Sequence, residues 1–137
     1  MRFVRYTMSG TPEWGVLVDD KVHALGTRPN GAPSLAEFGD ETVRNSIWRD
    51  IENGVLPTHD ASDVDILAPV ATPGKIICAG LNYYDHAEEQ DEEPPEKPML
   101  FTKSPSAVAN QGDAIVHPNS LEQVDYEVEL ALVIGRT

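Results

Sequence analysis

Near its C-terminal end the chain contains the stretch Val124-Asp125-Tyr126-Glu127-Val128-Glu129-Leu130-Ala131-Leu132-Val133-Ile134. Its many aliphatic and β-branched residues predict a buried strand. Because side chains alternate along a strand, Asp125, Glu127 and Glu129 would share one face and the apolar residues would share the other. Carboxylates on a buried face need a neutralising partner, and Mg²⁺ or Mn²⁺ prefers such oxygen ligands. The alternative is an edge strand whose acidic face lies in water, so the pattern leaves both a metal site and a solvated edge open.

The charge of the chain is strongly negative, because 23 Asp and Glu residues against 10 Lys and Arg residues give a formal net charge of −13. Nucleic acids and anionic membranes require clustered cations, so neither is expected as a partner. The profile is typical of a salt-adapted, halophilic protein, in which salt screens the repulsion among acids. The N-terminus lacks a signal peptide core, and the single cysteine, Cys78, excludes an internal disulfide. A cytoplasmic protein is therefore predicted.

Residues 1–68 predict a small α/β domain. A helix from about Asp40 to Glu52 is indicated by apolar residues at every fourth position, and Asn53-Gly54 would end it. The capping-box spacing at Ser34 predicts a shorter helix before it. No pattern in this region is typical of catalysis, so His23 and His59 are predicted to be structural. The predicted strands are Arg2–Thr7, Trp14–Val18 and Val22–Leu25.

Three side chains farther along the chain are candidates for catalysis. His86 and Glu89 are three residues apart, so on a helical turn they would share a face. A carboxylate that orients an imidazole suits a general base working near neutral pH, although an exposed pair of this kind also occurs without function. Lys103 ends an apolar strand, where it would meet a substrate carboxylate or a developing oxyanion, or would simply be solvated.

Three stretches of the chain form a recognisable set of motifs: Ile76–Tyr83 with Asp85-His86 and Glu89, then Leu100–Ala107, and then Val124–Ala131 through Ile134-Gly135. Taken together, these stretches resemble the fumarylacetoacetate hydrolase family over Pro69–Thr137. Some members of the family have arginine at the position of Leu81, so substrates anchored by that arginine are not expected.

The resemblance assigns a role to each candidate residue. It implies that Glu127 and Glu129 bind a divalent cation, Mg²⁺ or Mn²⁺, which holds and polarises the substrate. His86 and Glu89 would be the dyad that activates water, and Lys103 would stabilise the substrate. The implied reaction is hydrolysis of a C–C bond in an acylpyruvate-type acid, either a 2,4-dioxo or a 2-oxo acid. Isomerisation or decarboxylation of a 2-oxo acid at the same site is the alternative.

The resemblance also implies an α+β fold, with the small domain at residues 1–68 and the first part of a mixed β-roll at residues 69–137. The family takes its third carboxylate ligand from a later strand, which here would lie beyond Thr137. We therefore expect an incomplete catalytic domain, either a truncated product, a fragment or half of a split enzyme. A full-length form is expected to be a homodimer. A different hypothesis is an inactive assembly module that needs a complementary C-terminal chain.

Overall fold

The secondary structure of residues 1–135, which a computed structural model describes, is that of an α+β protein. This fold class confirms the prediction. By compactness the chain divides into one unit made of Met1–Pro69 and the residues from Asn110 onward, and a second unit, Val70–Ala109. The predicted region 69–137 stays a prediction, and its positions 136 and 137 lie outside the described residues. The elements are β1 (Arg2–Thr7), β2 (Glu13–Val18), β3 (Lys21–Ala24), α1 (Glu41–Glu52), β4 (Thr58–Asp60), β5 (Asp65–Leu67), β6 (Ile76–Gly80), α2 (Tyr84–Glu89) and β7 (Met99–Lys103).

A five-stranded sheet forms the first unit, with the strand order β4-β3-β2-β1-β5 and antiparallel pairing throughout. A tight turn joins β2 to β3, and its first residue, Asp19, has a φ of 51°. Aspartate tolerates this left-handed conformation better than most residues. The three predicted strands are confirmed. The edge strands β4 and β5 were not predicted, because three residues are too few to display a period.

Apolar side chains cover both faces of this sheet. On one face α1 and the segment before it pack over β2, with Ile47 and Val16 fully buried. On the other face Tyr6 and Val22 form a second buried cluster with Ala24 and Val64. Strand β2 accordingly carries apolar residues on both faces, with Val16 in one cluster and Leu17 packed against the other.

Helix α1 begins and ends where the sequence indicated. Asp40 is its N-cap, and its carboxylate accepts from the backbone N–H of Thr42 at 2.7 Å and of Val43 at 3.3 Å. At the other end Asn53 is the C-cap, and Gly54 has the left-handed φ of 64° that commonly follows a helix. None of the helices within residues 1–135 has the length and apolar character of a membrane span.

The second unit is built on an antiparallel ribbon of β6 and β7. The register pairs Ile76 with Lys103 at one end and Gly80 with Met99 at the other. From Gly80 the chain turns into α2 through Leu81, whose φ of 47° is unusual for a residue with a branched side chain. Within this unit the ribbon leaves apolar side chains in contact with water, since Ile77 is 62% exposed and Leu100 is 68% exposed.

The strand predicted over residues 124–134 is not formed. Residues 108–135 contain neither helix nor strand, and Tyr126 and Val128 are 84% and 85% exposed. A strand is stabilised by a neighbour that pairs with its backbone groups and covers its apolar face. Among the described residues no strand is paired with this segment, and its large apolar side chains stay exposed, so the prediction of a buried strand is wrong for the chain as described. The alternation of acidic and apolar residues does not separate a buried face from a solvated one here.

Candidate active site

His86 and Glu89 both lie on α2, as their spacing predicted. This helix is only six residues long, and its N-cap, Tyr83, provides no side-chain hydrogen bond as a cap. Asp85 lies in its first turn, and its carboxylate accepts from the backbone N–H of His86 at 3.0 Å. His86 is half-buried, whereas Glu89 is exposed. Ala87 is the buried residue of this helix.

The hydrogen-bond partner of the His86 ring is Gln90 rather than Glu89. Nε2 of the imidazole lies 2.7 Å from the amide Nε2 of Gln90. An amide nitrogen can only donate, and a neutral imidazole that accepts this bond at Nε2 would carry its proton on Nδ1. Gln90 follows His86 by four positions, the spacing of neighbours on a helix. That spacing is the signal by which the sequence could have indicated this residue.

Lys103 ends β7 with its side chain in water. Its Nζ lies 6.0 Å from the centroid of the Phe101 ring, at the outer limit of a cation–π contact. The register places Lys103 beside Ile76, four steps along the ribbon from the Gly80–Met99 pair that leads into α2. Four steps correspond to about 14 Å along an antiparallel strand. Lys103 and the start of the turn into α2 thus lie at opposite ends of the ribbon.

Glu127 and Glu129 belong to the first unit, in the exposed segment that follows Asn110. Their neighbour Asp125 is engaged locally, because its Oδ1 accepts from the backbone N–H of Tyr126 at 2.8 Å. The predicted site residues are thus divided between the units, with the pair from α2 and Lys103 in one and the two glutamates in the other. Their assignment as one site stays a prediction.

Glu127 and Glu129 have the oxygen atoms that a divalent cation prefers, but two residues are too few to complete its coordination shell. Carboxylate oxygens are the ligands that Mg²⁺ and Mn²⁺ prefer. Within residues 1–135, however, no three His, Cys, Asp or Glu side chains are grouped so that they could hold a metal ion. Glu127 and Glu129 are therefore two of the ligands such an ion would need, and an octahedral shell would be filled by water or by groups from elsewhere.

The two histidines predicted to be structural pack against the sheet. Nδ1 of His23 lies 3.4 Å from the hydroxyl of Thr58, and burial lowers the pKa of His23. The ring of His59 is tilted against Tyr6, with 6.1 Å between the ring centroids. The first contact joins the neighbouring strands β3 and β4, and the second joins β4 to β1 across the same sheet, which agrees with a structural role.

Two family profiles match nearly the whole chain. The profile described as Rv2993c-like, N-terminal, matches residues 1–69. The profile described as fumarylacetoacetate (FAA) hydrolase C-terminal matches residues 75–137.

Individual relatives agree with these profiles. The chain is 39% identical over 110 residues to mitochondrial oxaloacetate tautomerase FAHD2A of Homo sapiens, covering 80% of this chain and 34% of that protein. It is 44% identical over 147 aligned positions to mitochondrial oxaloacetate tautomerase fahd2 of Xenopus laevis, covering 99% of this chain and 44% of that protein. The chain thus spans less than half the length of these relatives.

Solved structures share the fold. Maleylpyruvate hydrolase from Sphingobium sp. SYK-6, in complex with manganese(II) and pyruvate, is similar with a TM-score of 0.52 and 24% identity. The match covers 78% of this chain and 38% of that one.

Proposed function

The chain belongs to the fumarylacetoacetate hydrolase family, and on this premise we propose that it carries the proton-transfer residues of a tautomerase for 2-oxo acids of the oxaloacetate class. The observation that carries the proposal is the similarity to oxaloacetate tautomerases, which reaches 44% identity over 99% of the chain. The motifs by themselves implied hydrolysis of a C–C bond. Hydrolysis begins with the attack of water on a carbonyl carbon, whereas tautomerisation begins with removal of a proton from the carbon next to one. Both then pass through the enolate of a 2-oxo acid, so the same residues would serve either reaction.

Tautomerisation requires one group that takes a proton from the carbon next to the carbonyl and returns a proton to the carbonyl oxygen. His86 is the group suited to this exchange, because a neutral imidazole has one nitrogen that accepts and one that donates. The amide of Gln90 contacts Nε2, and a neutral ring that accepts there would carry its proton on Nδ1. For Nε2 to act as the base, the amide of Gln90 must move away from it. Gln90 is therefore a group that selects the tautomer of the base.

Lys103 and the glutamates would bind the substrate. A 2-oxo acid carries at least one carboxylate, and the exposed ammonium of Lys103 can pair with it. Glu127 and Glu129 would hold a Mg²⁺ or Mn²⁺ ion, the latter being the ion bound in the maleylpyruvate hydrolase structure. When bound, such an ion supplies a Lewis acid for the carbonyl oxygen. A bound cation would also offset the electrostatic repulsion between the carboxylates of Glu127 and Glu129, which favours its binding.

Two proteins test the proposal. One is the chain alone, and the other is a fusion of the chain to the residues that follow the matched region in the Xenopus laevis relative. Conversion of the enol form of oxaloacetate is followed by ultraviolet absorbance with Mg²⁺ or Mn²⁺ present. We expect weak metal binding and no turnover by the chain alone, because two carboxylates do not fix an octahedral ion. The fusion should bind Mn²⁺ and accelerate the conversion.

Matched variants of the fusion assign the roles. His86→Asn should lower kcat by about 10² to 10⁴-fold, the usual contribution of a general base, whereas His117→Asn in the exposed segment should not. Glu127→Gln should weaken Mn²⁺ binding in titration calorimetry. Release of pyruvate from an acylpyruvate, with no effect on the oxaloacetate enol, would replace tautomerisation by hydrolysis. A fusion that binds Mn²⁺ but acts on neither substrate would refute both.

A further inference from the structure

A cavity lies within the second unit, at the turn by which the chain passes from β6 into α2. Its volume is about 290 Å³, and it is lined by residues from two stretches, 79–84 and 94–98. Both stretches belong to Val70–Ala109, so the cavity is formed inside one unit. An apolar cavity of about 150 Å³ is large enough for benzene, so this one has room for an aromatic ring.

The end of α2 brings the second of these stretches back to the first. The backbone N–H of Glu92 donates to the carbonyl oxygen of Ala87 at 2.9 Å, and Asp91, just before Glu92, has a left-handed φ of 53°. This pairing is a common helix stop, and it reverses the direction of the chain. Pro94 and Pro95 follow, and proline has a fixed φ and lacks a backbone N–H. The returning stretch is therefore stiff and poor in hydrogen-bond donors.

The lining of the cavity suits an uncharged, flat group. Leu81 and Pro95 line it and are half-buried. Tyr83 and Tyr84 line it as well, and aromatic rings pack favourably against one another. Among the described residues that line the cavity, Glu96 is the only charged one. A ligand with a carboxylate at this place would be repelled by Glu96, whereas an aromatic ring would not.

The backbone of Leu81 provides a separate indication of function. Its φ of 47° lies in the left-handed region, which glycine adopts without steric cost and a residue with a branched side chain does not. Strained residues of this kind occur preferentially at ligand sites, because surrounding contacts must maintain them. A leucine in this conformation indicates that the position supplies an apolar side chain to the cavity, and not only a turn.

The cavity adjoins the base of the proposed reaction. Tyr83, which lines the cavity, is the N-cap of α2, and His86 is the third residue of that helix. At these two positions the side chain of the third residue lies next to the N-cap residue, as it does in a capping box. The carbon from which His86 would take a proton therefore lies close to the cavity, and so does any group attached to that carbon.

We propose that this cavity is a subsite for an aromatic ring carried by the reacting carbon, so that arylpyruvates are a further class of substrate. The inference rests on the proposed function, because it extends the substrates of the same base. In the reaction a C–H bond breaks at the carbon that carries the ring, and an O–H bond forms at the carbonyl oxygen. The proton passes through His86, and no other reactant is consumed.

The first experiment measures binding by the chain itself. The probes are phenylpyruvate and pyruvate, two 2-oxo acids that differ only by the ring. Each is titrated into the isotope-labelled chain, and the backbone amide signals are followed by NMR. We expect phenylpyruvate to shift the amides of residues 79–84 and of Glu96, with an affinity roughly tenfold or more above that of pyruvate, because the buried ring supplies the difference.

Variants of Leu81 locate the bound ring. Leu81→Asn keeps the turn, since asparagine tolerates the left-handed conformation, but it removes the apolar contact. It should weaken the binding of phenylpyruvate roughly tenfold. Leu81→Gly relieves the backbone strain and should weaken binding likewise. The matched control is Leu100→Asn, the same substitution at a position that is 68% exposed and outside the cavity, and it should leave the affinity unchanged.

Turnover by the fusion gives a second readout. The fusion should accelerate conversion of the enol form of phenylpyruvate, followed by ultraviolet absorbance. Leu81→Gly in the fusion should raise KM for phenylpyruvate more than KM for oxaloacetate, because only the former carries a ring. Equal changes in the two KM values would overturn the assignment of the cavity to the ring.

The binding measurements separate this inference from the proposed function. Equal affinity for pyruvate and phenylpyruvate, or an affinity for phenylpyruvate unchanged in both Leu81 variants, would overturn the inference. A fusion that converts the oxaloacetate enol would still support the proposed function in that case. If phenylpyruvate binds at the cavity and the fusion acts on neither enol, the ring subsite is supported and the proposed function is refuted.

Discussion

Gly15 of β2 is predicted to be the least replaceable small residue of the sheet, although its backbone conformation is open to any residue. A Cβ added at this position would lie 2.6 Å from Cγ1 of Val22, and 3.1 Å from both the carbonyl oxygen of His23 and Cε1 of Tyr6. Val22 and Tyr6 are buried in the second core cluster, and the carbonyl is part of β3. None of these neighbours is the free end of a flexible side chain, so the added methyl group cannot be accommodated without moving the sheet.

The expected cost of Gly15→Ala is about 3 kcal/mol, the upper end of the usual range for an overpacked core. In urea this lowers the unfolding midpoint by about 1 to 3 M, given the slope of about 1 to 3 kcal/mol per molar urea that is typical of small proteins. Fluorescence is a suitable probe, because both tryptophans, Trp14 and Trp48, belong to this unit. The matched control is Gly39→Ala, since a Cβ there meets nothing within 4 Å, and its effect should stay within about 0.5 kcal/mol.

A double-mutant cycle tests the cause. Val22→Ala alone should destabilise the chain by about 2 kcal/mol, because Val22 is fully buried. In the Gly15→Ala background the same change also removes the closest clash, so its cost should fall by about 1 kcal/mol or more. Strictly additive costs, or a midpoint for Gly15→Ala equal to that of the unchanged chain, would refute the reasoning.

Three further predictions concern charge, capping and pH. With a net charge of −13, the melting temperature should rise from 0.01 M to about 1 M salt as the screening length falls from about 30 Å to about 3 Å; a flat or falling curve in thermal scans would contradict the halophilic interpretation. Asp40→Ala should destabilise α1 by about 1 kcal/mol in urea, whereas Asp40→Asn should not, because its amide oxygen still caps Thr42; equal effects would exclude the cap as the cause. Burial lowers the pKa of His23, so the folded state favours the neutral ring. The contribution of this ring to the free energy of unfolding is fully present above pH 6.5, and it is lost as the pH falls below that value through the lowered pKa of the folded state. His23→Gln should flatten this loss between pH 7 and 5 in unfolding titrations, and an unchanged slope would argue against it.

The elements that the sequence predicted correctly are those whose information is local. The helix from Asp40 to Glu52 has a cap, an apolar period and a stop signal of its own, and it forms where all three agree. The three N-terminal strands and β7, the apolar strand that Lys103 ends, likewise carry enough residues to show their pattern. The family could also be identified from sequence, since motif order and residue type are properties of the chain alone.

The tertiary structure decided what depends on a partner elsewhere in the chain. The segment from Val124 to Ile134 has strong strand propensity, yet it forms no strand, because no strand within residues 1–135 is paired with it and its large apolar side chains stay exposed. The reverse holds for β4 and β5, which have little pattern of their own and exist because β3 and β1 offer free edges. Asn110 is the clearest case: nothing in its neighbourhood distinguishes it from other turn residues, and only folding brings it to Ala68, 42 positions away. Sequence determines local conformation through short-range energies, whereas strand pairing and long-range hydrogen bonds such as the one between Asn110 and Ala68 depend on contacts that no local pattern contains.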